Sequence, residues 1–235
     1  IDLELLYNKL DPFGSKIFLI YMIIGLLLSI LGIINIFYNN NWLKYFLIPL
    51  SLIVFVIFFF HSFGLIARGI ISGHAPWSNG YEALLLTAWA VLGVGIWLYL
   101  KFNKTRIHFL LLGLAASTAS YLLAFSLINI FDPTIGNVVP VLDSYWLMIH
   151  TSIIVSSYSF FFLGAKCGLI SILLTIFKRS SPEKINYMLS SLRNINEILI
   201  TVGLFMLTIG TFLGGIWASE SWGRYWGWYP KEAWA

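Results

Sequence analysis

The sequence predicts an all-α polytopic membrane protein with about six transmembrane helices, and three observations carry that prediction. Of 235 residues, 59% are hydrophobic and only 10% charged, with a mean hydropathy of +0.86, which is far too little charge for a water-facing surface. Apolar runs close to the roughly 20 residues needed to cross a bilayer, or longer, occur six times. Within lipid, such runs satisfy their backbone polar groups only as helices. The lipid bilayer is therefore the chain's first partner, and nothing in the composition calls for nucleic acid.

The predicted spans are 17–38, 45–66, 81–100, 107–130, 145–177 and 195–217. A charged amphipathic stretch with Asp2, Glu4, Lys9, Asp11 and Lys16 precedes the first run, and no small-residue cleavage site follows it. That argues against a cleaved signal peptide. Pro49 falls in the first turns of the second helix, where proline is tolerated. The fifth run is the longest, so its helix tilts or projects beyond the membrane. Residues 1–235 read as one membrane domain. The chain opens on Ile1 and stops at Ala235 inside an aromatic stretch, so it is expected to be a piece of a longer protein.

Basic residues are retained on the cytoplasmic side of a membrane, which orients the helices. With the first helix running inward, the inner loops hold Lys44, Lys101, Lys104, Arg106, Lys178, Arg179, Lys184 and Arg193. The outer segments hold Lys9, Lys16, Arg68, Arg224 and Lys231, and the loop 131–144 carries Asp132 and Asp143 with no Lys or Arg. Lys166 is left inside the fifth helix. This orientation puts the C-terminal stretch on the outer face.

That stretch, 217–235, reads WASESWGRYWGWYPKEAWA and contains five of the ten tryptophans, Trp217, Trp222, Trp226, Trp228 and Trp234, with Tyr225 and Tyr229. Aromatic rings offer flat, rigid apolar area, and Gly223 and Gly227 let backbone approach a planar ligand closely. Arg224, Lys231 and Glu232 add charge. Two readings are open: a flat ligand with acidic edges, of which haem with its propionates is the obvious candidate, or an aromatic belt at the membrane surface.

Of the four histidines, His150 sits at the outer end of the fifth helix just after the acidic loop, His74 lies in the outer loop after the second helix, His61 is near that helix's outer end, and His108 begins the fourth helix on the inner side. Neutral imidazole is a good axial ligand for haem iron, given a partner that fixes its tautomer; a histidine at a helix end also serves as a structural hydrogen-bonding residue. Cys167 is the only cysteine, which removes any disulfide framework, CxxC pair or zinc pattern.

The order of residues in WGRYWGWYPKEAWA resembles the tryptophan-rich WWD signature of the haem-handling proteins of cytochrome c maturation, and GGIWASES before it fits the same pattern. VPVLDSYWLMIHTSIIVSSYSFFFLG is similar to the family segment that supplies an outer haem-ligating histidine, with His150 at the matching position. ARGIISGHAPWSNGYEALLLTAW resembles a further family segment, carrying Arg68, His74, Pro76, Ser78, Asn79, Tyr81 and Glu82. The resemblance covers roughly residues 60–235 and is nearest to the CcsA half of CcsBA-type cytochrome c synthases. One departure stands out: Tyr229 occupies a position where the family usually has Asp, as a cap of the next helix or a haem contact.

This resemblance implies a haem lyase, or holocytochrome c synthase, in the cytoplasmic membrane or its thylakoid equivalent. Haem b would be its bound substrate and an apocytochrome with a CxxCH motif its acceptor, beside a CcsB-like portion, fused or separate. His150 is implied as axial ligand and catalytic residue. Trp222, Gly223, Arg224, Tyr225, Trp226, Gly227, Trp228, Lys231 and Trp234 are implied as haem-binding residues, with Arg224 and Lys231 toward the propionates. A second outer histidine is expected after the tryptophan-rich stretch. His74, Asn79 and Glu82 are outer-face candidates; Ser78 or Asn79 can also cap the third helix, with Glu82 close enough to close a capping box on Asn79. Two alternatives stay open, a haem carrier without ligase activity and a b-type electron-transfer cytochrome with haem between His61 and His150. A channel or solute transporter fits less well, since Lys166 is the lone charge deep in the spans.

Overall fold

The computed structural model describes residues 2–38, 41–128, 131–136, 144–176 and 182–233. Among them the chain is all helical: α1 (Asp2–Leu10), α2 (Ser15–Tyr38), α3 (Asn41–Ser72), α4 (Gly80–Lys101), α5 (His108–Ser126), α6 (Tyr145–Ile176), α7 (Pro182–Trp222) and α8 (Pro230–Ala233). Six of these, α2 to α7, are long and apolar enough to cross a membrane.

The centre of the bundle is α5. Of its most apolar window 83% is buried, against 17% for α7, because α2 and α4 close on it from either side. Small residues permit the approach of α2: a Cβ on Gly113 would lie 2.5 Å from the backbone nitrogen of Ser29, and one on Gly25 would lie 2.8 Å from the Ala116 carbonyl carbon. In lipid, where apolar side chains gain little by leaving the solvent, such backbone contact is a main source of helix association.

The helices α6 and α7 form a long antiparallel hairpin that leans chiefly on α4. Ser159 donates to the Thr87 carbonyl at 3.1 Å across that contact, and the Trp77 indole donates to the Met148 carbonyl at 3.1 Å. At about 62 Å for 41 residues, α7 is twice the thickness of the hydrocarbon layer. It starts at Pro182 rather than near Ile195, because Ile185, Met188, Leu192, Ile195 and Leu199 form a buried seam at alternating spacings of three and four. Likewise α3 starts at Asn41, ahead of the expected 45, which moves Pro49 from the first turns into the helix interior. The Tyr45 carbonyl then has no amide four residues on. The predicted fourth span also ends earlier, at Ser126 instead of residue 130.

The α3–α4 end of the bundle is tied down by a buried ion pair. Arg68 Nε donates to Glu82 Oε1 at 2.9 Å, with the two side chains 2% and 1% exposed. The guanidinium also donates to the carbonyls of Pro133 and Thr134 at 3.0 and 3.3 Å and lies over the Tyr81 ring. It thereby fastens the α5–α6 loop to the same end as the N-terminus of α4, the start of α6 and the end of α7.

Candidate functional site

His150 is in the second turn of α6 and faces α7, where Gly210, Gly214 and Trp217 share one stripe at i, i+4 and i+7. Its ring rests on Gly214: a Cβ there would lie 2.6 Å from Nδ1 and 3.1 Å from Nε2, so only glycine admits the imidazole. Nδ1 stands 2.7 Å from the Gly210 carbonyl oxygen. A carbonyl only accepts, so Nδ1 carries the proton and Nε2 the lone pair. A backbone carbonyl on one ring nitrogen with the other left basic is how proteins orient histidines for metal ligation.

One turn beyond Gly214, Trp217 is buried and packs edge-on against Trp222 with ring centroids 4.7 Å apart. Its indole nitrogen is a buried donor with no acceptor among the described residues. Gly223, at φ 71°, ends α7 in the left-handed conformation, with its amide bonded to the Ser219 carbonyl. The chain then folds back until Tyr225 lies over Gly215. Trp222, Tyr225, Trp226, Trp228 and Tyr229 are all exposed or nearly so, Trp228 at 81%.

Tyr229, which stands where the resemblance implied Asp, engages Arg224. Its hydroxyl accepts from Arg224 Nη2 at 2.7 Å, and the guanidinium lies over its ring. The capping function falls to Glu232, whose Oε2 accepts from the amides of Gly227 at 2.8 Å and Tyr229 at 3.1 Å. Glu232 is thus the third-residue half of a capping box on α8. Arg224 has no carboxylate within ion-pair distance among the described residues. Trp234 and the side chain of Lys231 lie outside the described residues.

The other candidates are placed differently. Asn79 caps α4, accepting from the Glu82 amide at 2.8 Å, but the expected reciprocal bond is displaced. Glu82 Oε2 takes the amide of Ser78 rather than that of Asn79, because Oε1 is held by Arg68. Glu82 is consequently buried and not open at the surface. His74 bridges two loops, with Nδ1 near the Ala75 carbonyl and Ser78 Oγ and Nε2 3.1 Å from the Gly136 carbonyl. His61 is fully enclosed, with Nδ1 2.7 Å from the Tyr21 hydroxyl and Nε2 3.1 Å from the Leu85 carbonyl. Neither of its nitrogens is left for iron, which removes it as a partner to His150. His108 packs against Tyr99 and Phe109 at the opposite end.

The model of the cytochrome c assembly protein family matches residues 77–235, which takes in α4, His150, the α7 stripe and the whole aromatic stretch. The chain belongs to the cytochrome c assembly protein family. Its relatives include the protein NrfI of Wolinella succinogenes, 36% identical over all of this chain and 25% of that protein. The cytochrome c biogenesis protein CcsA of Chlamydomonas reinhardtii is 34% identical over 73% of this chain and 49% of its own length. That of Cyanophora paradoxa is 31% identical over 93% of this chain and 78% of its own. The chain thus spans a quarter of the first relative and about half of the second.

The residues fit haem on their own chemistry. One imidazole has its tautomer set for iron, an indole donor is buried and unpartnered one turn away, and an uncompensated guanidinium stands beside exposed rings. His150 and Arg224 were read from the sequence, whereas the Gly210 carbonyl, the Gly214 seat and the Trp217 donor were missed. The Gly210 carbonyl and the Gly214 seat were signalled by the GTFLG spacing, a small-xxx-small pattern on an apolar helix. The Trp217 donor had no signal beyond its place in the aromatic stretch.

Proposed function

We propose that the chain is the haem-presenting part of a cytochrome c synthase, holding haem on the outer face of the membrane and delivering it to an apocytochrome. The observation that carries the reading is His150, seated on Gly214 with Nδ1–H bonded to the Gly210 carbonyl and Nε2 left to bind iron. A second imidazole from outside residues 1–235 completes the axial pair, in keeping with the greater length of the relatives. The outer placement is supported by the basic residues Lys44, Lys101, Lys104 and Arg106, which gather at the opposite end of the bundle.

Haem is the substrate here, and it supplies two vinyl groups at its edge. Iron on His150 fixes the distance of the macrocycle from α6 and α7. Exposed rings of Trp222, Trp226 and Trp228 lie against its face, and Arg224, with Lys231, meets the propionates through charge-assisted bonds. The vinyl edge then points away from the cations, toward the acceptor. Each cysteine thiol of CxxCH adds across one vinyl group: a carbon–sulfur bond forms, the thiol proton ends on the neighbouring carbon, and no net electrons are needed. The protein contributes positioning, which converts a slow encounter into a near-unimolecular addition.

The test uses the full-length protein under reducing conditions with an apocytochrome bearing CxxCH. Covalent haem on the acceptor, lost with His150→Ala, supports the synthase. Bound haem that never transfers assigns the chain to the carriers and overturns the ligase step. An electron-transfer cytochrome between His61 and His150 has no support, since both His61 nitrogens are engaged.

A further inference from the structure

The face of α7 turned away from the rest of the bundle has no part in the function proposed above. Asn196 and Leu199 lie against Gly164 of α6, and Phe160 and Phe161 lie against Gly203, so the register of the hairpin sets Arg193 to Glu197 level with Lys166 and its neighbours. Lys166 Nζ donates to Ser117 Oγ at 2.8 Å. Ser117 is the central residue of α5, a helix of about 28 Å that matches the hydrocarbon layer. The stretch from Arg193 to Glu197 therefore lies well inside the membrane, whereas the span expected from residue 195 put it at the inner edge.

At that depth the two helices show their surroundings opposite chemistry. From α6 come Leu169, Ile172 and Leu173, 46–61% exposed, which suit lipid. From α7 come Arg193, Asn194 and Glu197, all exposed, lining a groove of about 460 Å³ with Leu189 and Ser190. Neither charge has an ion-pair partner among the described residues, and charges at membrane depth face protein or water rather than lipid. The polar face also has a period. Ser190, Asn194, Glu197, Thr201, Leu204 and Thr208 are all exposed and follow at alternate steps of four and three, the 3.5-residue repeat of a helix–helix seam. At 100° per residue this seam lies opposite the buried one from Ile185 to Leu199. Ser, Thr and Asn gather at helix interfaces in membranes. The Ser190 and Thr208 hydroxyls donate back to the Tyr187 and Leu204 carbonyls, which leaves their lone pairs outward, and the Glu197 carboxylate only accepts. The seam asks for donors.

We propose that this seam docks a further membrane-spanning helix, one that presents an amide or cationic side chain opposite Glu197. Such a helix supplies the donors that lipid cannot, and it takes both the carboxylate and the hydroxyls off the lipid-facing surface. A second copy of the chain does not fit. Copies in one membrane point the same way, so α7 would pair with its copy in parallel and in register, which sets Glu197 against Glu197. A helix from outside residues 1–235 fits, in keeping with the greater length of the relatives.

The experiment puts the photo-crosslinker p-benzoylphenylalanine into the full-length protein, either at Leu204 on the seam or at Ile172 on the lipid-facing side of α6. The protein is illuminated in its own membrane, purified, and its adducts are mapped by mass spectrometry. The expected result is an adduct from Leu204 to a spanning segment outside residues 1–235 that carries Lys, Arg, His, Asn or Gln about two turns from the adduct, at the height of Glu197, with lipid adducts alone from Ile172. Glu197→Leu should lower the yield of the Leu204 adduct about threefold, while Glu197→Gln, which still accepts, retains it. Lipid adducts alone at Leu204, no adduct there, an adduct to α7 of a second copy, or a segment with no donor at that height each overturn the proposal. Equal yields with glutamate and leucine at 197 also overturn it, since packing alone would then hold the helix. The identity of the adduct is read with Glu197 in place, so the test stands even where Glu197→Leu fails to accumulate.

Discussion

Replacing Gly214 by alanine tests the proposed haem site without touching the His150 ligand itself. The new methyl would lie 2.6 Å from His150 Nδ1, about an ångström inside ordinary contact, so the ring must move away from α7. That motion breaks the bond to the Gly210 carbonyl, worth about 0.5–1.5 kcal/mol, and the crowding adds about 1–3 kcal/mol. Alanine's better helix propensity returns at most about 1 kcal/mol. Loss of a ligand-orienting partner typically lowers metal affinity about 10–100-fold, so haem retention in purified protein, read from its Soret band, should fall by that factor. Gly215→Ala is the control: its Cβ would meet Tyr225 at 3.5 Å, an ordinary contact, and haem should be retained. Wild-type retention in Gly214→Ala would refute the seating of His150 on that glycine.

Other perturbations separate stability from binding. Trp217→Phe removes a buried donor that has no acceptor, so the haem-free protein should unfold at the same or a slightly higher temperature, by up to about 1 kcal/mol, while haem affinity falls severalfold; a parallel fall in both would make Trp217 a packing residue only. Arg68→Met strands Glu82 in a buried setting and should destabilise the α3–α4 end by about 3–5 kcal/mol, measured by chemical unfolding in detergent, with Arg68→Met/Glu82→Leu recovering part of the loss. Gly113→Leu should separate α2 from α5 and lower the thermal midpoint, whereas Gly136→Leu, with open space around it, should not. The Asp132 carboxyl is held below its ordinary 3.8 chiefly by the Thr134 backbone amide. A depressed carboxyl contributes stability above its unfolded value and loses it as pH falls through the folded one. Amide exchange of residues 131–136 should therefore quicken, relative to the intrinsic rate, below pH 3.8, and Asp132→Asn should remove that step.

Composition and run length were enough for the helix count because a bilayer leaves few alternatives, and the segments carrying His150 and the aromatic stretch were visible as motifs. Helix ends were less legible. The polar start of α7 dilutes its hydropathy, and only the seam from Ile185 to Leu199 betrays it; the start of α3 ran past a proline that would ordinarily mark an early turn. Glu82 read as a capping residue, yet its role is divided between Ser78 and Arg68, a partner 14 residues away that local pattern does not reveal. His61 looked like a spare ligand until its neighbours Tyr21 and Leu85, brought from two other helices, were seen to occupy both nitrogens. The seat of His150 depends on the pairing of α6 with α7, so only the GTFLG spacing hinted at it. Tyr229, puzzling as a missing acid, became intelligible once Arg224 and Glu232 were placed around it.

The central claim is that His150 holds haem for transfer to an acceptor cysteine pair. Its most direct test is the haem spectrum and covalent product yield of the full-length protein and its His150→Ala variant, each mixed with reduced apocytochrome bearing CxxCH. The account predicts a haem-loaded wild type that labels the acceptor and a variant with depleted haem and little product, partly restored by added imidazole filling the vacated position. Undiminished haem and undiminished product in the variant would contradict it.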